Sequence, residues 1–117
     1  MFNKFFTVTL FAFIVASCKP VPNTGADGYQ FGTPQYEKQQ VLVNVVTYNT
    51  QKELLASAKA KGVNDTEIVA FSELRAPFDV CTIHMVKPTV KYEPEFVGHE
   101  FLHCSYGQWH TSNQSRS

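Results

Sequence analysis

The chain has 117 residues, of which 44% are hydrophobic, 14% aromatic and 17% charged. That is room for a single domain and too apolar for a disordered chain. Ten Lys and Arg balance ten Asp and Glu, so no net field draws the protein to nucleic acid, and no nucleic-acid partner is expected.

The N-terminus reads as an address. Lys4 precedes an uncharged run from Phe5 to Ser17, too short to cross a bilayer as a helix and built like the apolar region of a secretory signal. Val15-Ala16-Ser17-Cys18 resembles the bacterial lipobox, whose cysteine is acylated and becomes the mature N-terminus. The resemblance implies a signal peptide over 1–17 and a lipid anchor on Cys18 that binds the protein to a membrane. Lys19, standing where Asp would retain a proteobacterial lipoprotein at the inner membrane, implies the cell envelope and the periplasmic face of the outer membrane. From Cys18 to residue 40 the chain carries Pro20, Pro22, Pro34, Gly25, Gly28 and Gly32 without an apolar period, and it reads as a flexible tether.

The remainder, 41–117, is a domain of about 75 residues, small enough to need a covalent or metal staple. Acylation of Cys18 leaves Cys81 and Cys104, which an oxidising compartment would join; two buried free thiols are the alternative. Val41–Tyr48 is β-branched and apolar and predicts a strand. Thr50 and Glu53 predict a capping box opening a helix that presents Leu54, Leu55 and Ala58 and stops at Gly62. Thr66–Ser72 predicts a second strand. Asp79–Val86 predicts a third beyond Pro77, with Cys81, Ile83 and Met85 on one face and Thr82, His84 and Val86 on the other. Pro94 precedes a second helix over 95–106, ended by Gly107. The order is strand, helix, strand, strand, helix, an α+β fold with a sheet of about three strands.

The second helix contains His99-Glu100-Phe101-Leu102-His103. Positions i and i+4 share one face of an α-helix, so both imidazoles reach a single metal ion, and Glu100 projects from the neighbouring position as the general base for an activated water. Catalytic zinc sites keep three protein ligands, and the only His, Asp or Glu after His103 is His110. The expected set is one Zn2+ per chain on His99, His103 and His110. Cys104 adjoins His103 but points about 100° away around the helix, so it belongs to a disulfide with Cys81 rather than to the metal.

This motif resembles the zincin superfamily of metallopeptidases. The string from His99 to His110 is similar to the metzincin pattern with one residue inserted before Gly107, and no methionine turn follows. The resemblance is therefore to the broad class, carried on a minimal bacterial, phage- or plasmid-encoded lipoprotein. It implies a zincin-like domain and a zinc-dependent peptidase or amidase whose substrate is a peptide, a protein or peptidoglycan. His84, on the strand where zincins offer an edge to extended substrates, and the phenols of Tyr92 and Tyr106 are candidate oxyanion donors. Trp109 is expected to pack the turn. The rival readings are a non-catalytic envelope lipoprotein that binds another protein, with zinc or disulfide only structural, and a small lysis lipoprotein of the spanin type.

Overall fold

The computed structural model describes residues 23–75 and 80–111. Cys18, the signal peptide, the first residues of the expected tether and Pro77 lie outside them. The elements are β1 (Leu42–Tyr48), α1 (Gln51–Ala60), β2 (Ala70–Arg75), β3 (Val80–Val86) and α2 (Pro94–Tyr106). They form a small α+β fold around a three-stranded sheet of order β1-β3-β2. β3 runs parallel to β1 and antiparallel to β2. The five elements match the expected order and type, and α2 carries the histidine motif.

The alternation of β3 divides the core. On one face Leu54, Ala58, Phe71 and Val86 form a cluster under α1, with Tyr48, Val63 and Ile68 at its margin. On the other, Cys81, Ile83 and Cys104 are fully buried beneath α2, with Val41, Val43 and Leu74 around them. Cys81 and Cys104 are joined by a disulfide, which pins the central strand to the helix bearing the motif. α1 opens as its sequence predicts: Thr50 Oγ1 accepts the Glu53 N–H at 3.2 Å, and the Glu53 carboxylate accepts the Asn49 N–H at 3.0 Å.

Two boundaries differ from expectation. The second strand begins at Ala70 and runs to Arg75 instead of spanning 66–72, because Glu73 does not end it. The Glu73 carboxylate is tied to Lys61 at 3.1 Å, Arg75 at 2.9 Å and His84 at 3.2 Å, so a charge is accommodated within the sheet.

The second difference is the larger correction. The tether expected over 18–40 does not extend through the described part of that segment, since from Asn23 onward the chain is bound to the domain. The N–H groups of Gly32, Gln35 and Lys38 donate to the carbonyls of Trp109, Tyr106 and Ser105 at 2.8–3.1 Å. Phe31 pairs with His110 as an isolated bridge, and its ring stacks on Trp109 at 5.2 Å. A segment held by backbone bonds to the last turn of α2 and the loop after it needs no amphipathic period, so its sequence resembles a linker. Among the described residues no helix is long and apolar enough to cross a membrane.

Candidate metal centre

α2 begins at Pro94, whose fixed φ and missing N–H suit the first turn, and carries His99 and His103 one turn apart on its inner face, both buried. It ends at Gly107, where φ is +66°. A Cβ at this position would lie 2.6 Å from Gln35 Oε1 and 2.7 Å from Tyr36 Cε1, so glycine is required both by the backbone and by the segment 23–40, hereafter the strap, pressed against it. The turn carries the chain back over the helix, and Trp109, only 2% exposed, is packed among the rings of His99, His103 and His110. This confirms its packing role. Among the described residues its indole N–H has no hydrogen-bond partner, a cost of about 1–3 kcal/mol that the surrounding ring contacts must offset.

The three histidines expected as ligands are brought together. One nitrogen from each of His99, His103 and His110 lies within 4.8 Å of the others. His99 Nε2 is 3.2 Å from His103 Nε2 and 2.8 Å from His110 Nε2. The opposite ring nitrogens decide the protonation. His99 Nδ1 is 2.8 Å from Asp27 Oδ2 and His103 Nδ1 is 2.7 Å from the Gly107 carbonyl. A carboxylate and a carbonyl only accept, so both Nδ1 atoms donate their proton and both Nε2 atoms present lone pairs to the same point. Two lone pairs 3.2 Å apart repel unless a cation lies between them.

The electrostatics favour neutral imidazoles at His103 and His110. Burial pushes the His103 pKa down, assisted by the charge of His99 and opposed by the bond to Gly107. Burial pushes His110 down to about 4, with the charges of His103 and His99 adding and Asp27 opposing. Three imidazole nitrogens, two of them with the far side of the ring hydrogen-bonded, are a donor set that a divalent transition metal takes. The three residues lie close enough to hold a metal ion, and the donor chemistry fits one.

Sequence reasoning missed the groups behind the ligands. Asp27 is one: its Oδ1 accepts the Tyr29 N–H at 3.0 Å while Oδ2 holds His99, and both side chains of that pair are nearly buried. Tyr29 is another, its ring lying 4.5 Å from those of His99 and His110. Both belong to the strap, 72 positions from His99 in the case of Asp27, and a carboxylate in a glycine-rich stretch gave no signal beyond its charge.

Glu100 does not join the converging nitrogens. It lies one step round the helix, toward β2, where the N–H and hydroxyl of Ser72 donate to its carboxyl. Desolvation outweighs those two bonds and raises its pKa to about 7. With His99, Asp27, Tyr29 and residues 68–70 it lines a cleft of about 300 Å³.

The other oxyanion candidates are not at this site. β3 is the central strand, not an edge, and His84 faces α1, across the sheet from α2. There its ring stacks on Phe71 at 4.3 Å and its nitrogens meet Tyr48 and Glu73. Tyr92 is 76% exposed on a separate groove, and Tyr106 packs edge-on against Phe31. The tyrosine of the cleft is Tyr29. The fold and site thus define a small, disulfide-stapled α+β domain with a three-histidine centre. No protein-family model matches the chain, and comparison with curated proteins and with solved structures found no match.

Proposed function

We propose that this chain is a membrane-anchored, zinc-dependent peptidase or amidase of the cell envelope, acting as the zincins do whose helix motif it resembles. The observation that carries this reading is the convergence of the His99, His103 and His110 nitrogens, two of them with their protons committed to Asp27 and Gly107 on the far side. A zinc ion held there, one per chain, would supply a Lewis acid that acidifies water and polarises a carbonyl. Glu100 opens on the same cleft as His99, and a carboxyl titrating near neutrality can take a proton and return it. Asp27 fixes the His99 ring, and the buried Trp109 excludes water from behind the ligands. β2 lies at the edge of the sheet beside the cleft, where an extended peptide can add by main-chain hydrogen bonds. The Cys18 anchor and the outer-membrane placement follow from the lipobox resemblance.

One observation favours the rival reading, a binding lipoprotein with a structural metal: Glu100 is held by Ser72. The test measures zinc per chain by elemental mass spectrometry for the wild type, His110→Ala and Glu100→Gln, alongside turnover of a quenched-fluorescent peptide library and purified peptidoglycan. The expected result is one zinc, lost in His110→Ala and kept in Glu100→Gln, with turnover falling at least ~100-fold in the latter. Zinc bound by the wild type with turnover by none of the three proteins selects the binding protein. A folded chain that takes no zinc refutes both metal readings.

A further inference from the structure

The α2 side of the molecule is unusually apolar for an exterior. α2 covers β2 and β3 but makes no comparable packing with β1, so Val45, on the face shared with Ile83 and Met85, is 53% exposed. Beside it, Met85, Val97, Phe101 and Tyr92 line an open groove of about 330 Å³, and Phe101 and Leu102 are 44% and 37% exposed. The outer surface of α1 is different: its exposed residues are Lys52, Glu53 and Lys59 with the small Ala56 and Ala60. Leu42 and Val46 of β1 are also exposed, on the other face of the sheet, but an uncovered apolar face that joins a sheet edge, a groove and a helix marks an interaction surface.

The position of the strap identifies what covers it. Asn23 lines a groove with Gly98 and Leu102 of α2, and Gly98 also borders the groove of Val97 and Phe101. Cys18 precedes Asn23 by five residues, and covalent geometry limits that stretch to about 18 Å. An acyl chain on Cys18 is therefore inserted within 18 Å or so of the point where the chain meets the apolar face. The long tether read from the sequence would have let the domain tumble, whereas the short leash does not. Near this face Lys91 is paired with Glu93 at 3.3 Å and Glu95 borders Leu102, so no positive excess calls for anionic lipid and a zwitterionic lipid surface suffices.

We propose that the face formed by Val45, Met85, Val97, Phe101 and Leu102 lies on the lipid surface that receives the Cys18 acyl chains, which sets the three-histidine centre at the membrane–water boundary. The proposal rests on the lipid-anchor reading of Cys18 and is independent of hydrolysis. Its test uses the full acylated chain in phosphatidylcholine vesicles. Phe101→Trp and Lys52→Trp are compared for quenching by bromine-labelled lipid, with the wild type measuring the background of the buried Trp109. The expected result is at least twofold quenching of the added emission in Phe101→Trp and none in Lys52→Trp. Equal quenching, or none in either variant on vesicle-bound protein, overturns the orientation and leaves the anchor standing. So does a dimer in detergent that shields the introduced Trp, which would give the face to a second copy. Mass spectrometry showing an unacylated Cys18 overturns both the anchor and this proposal.

Discussion

Asp27 is the residue on which sequence and structure disagree most, and its substitution gives the sharpest test of the metal centre. As part of a flexible tether it would do nothing. In the fold it accepts the His99 Nδ1 proton at 2.8 Å, and the two side chains are only 10% and 8% exposed. Asp27→Asn keeps an oxygen acceptor but removes the charge, so His99 stays oriented while its Nε2 becomes a weaker donor. Asp27→Ala leaves a buried N–H without an acceptor and frees the ring to turn. Carboxylates behind metal-ligating histidines are worth about 10–100-fold in metal affinity, or about 1.4–2.8 kcal/mol. We expect Asp27→Asn near the lower end and Asp27→Ala near the upper. The assay is competition for zinc against a chromophoric chelator at neutral pH, with thermal melts of the metal-free proteins to establish that each variant folds. Glu37→Gln, on the exposed side of the strap, is the control and should match the wild type. Folded Asp27→Ala binding zinc as tightly as the wild type would refute the reasoning that the strap builds the site.

Three further outcomes follow from the geometry. The Cys81–Cys104 bridge closes a loop of 23 residues, which stabilises by about 3 kcal/mol on a chain-entropy account; reduction should lower the melting midpoint by more than about 10 °C, and an unchanged midpoint would contradict it. The Glu73 carboxyl is held at about 2, first by its bond to Lys61 and then by that to Arg75. Because its folded pKa is depressed, its stabilisation is present above pH ~4.5 and lost as pH falls toward 2; Glu73→Gln should flatten the acid limb of a stability–pH curve. Gly107→Ala forces a side chain into positive φ and against Gln35 and Tyr36; we expect a loss of about 1–3 kcal/mol in urea melts and weaker zinc binding, since the turn supplies the acceptor for His103.

Local chemistry made much of this protein legible in its sequence. The capping box at Thr50, the glycine stop at Gly107 and the spacing of His99 and His103 act over a few residues, where backbone geometry alone decides the outcome. The pairing of Cys81 with Cys104 followed from cysteine arithmetic together with the strand and helix faces. β2 was displaced because the partners that make Glu73 tolerable, Lys61 and His84, come from α1's end and β3, and no window along the strand contains them.

What the sequence determined by itself is the α+β order and the three candidate ligands, because helical period, turn chemistry and residue type are local properties. The tertiary structure alone decided that His110 returns to the helix, that the segment from Asn23 is a strap carrying Asp27 and Tyr29, and that His84 belongs to the opposite face of the sheet. Each depends on contacts between residues far apart in the chain. A proton on His99 Nδ1 is fixed by a carboxylate 72 residues away, and only the folded chain brings the two within hydrogen-bond distance.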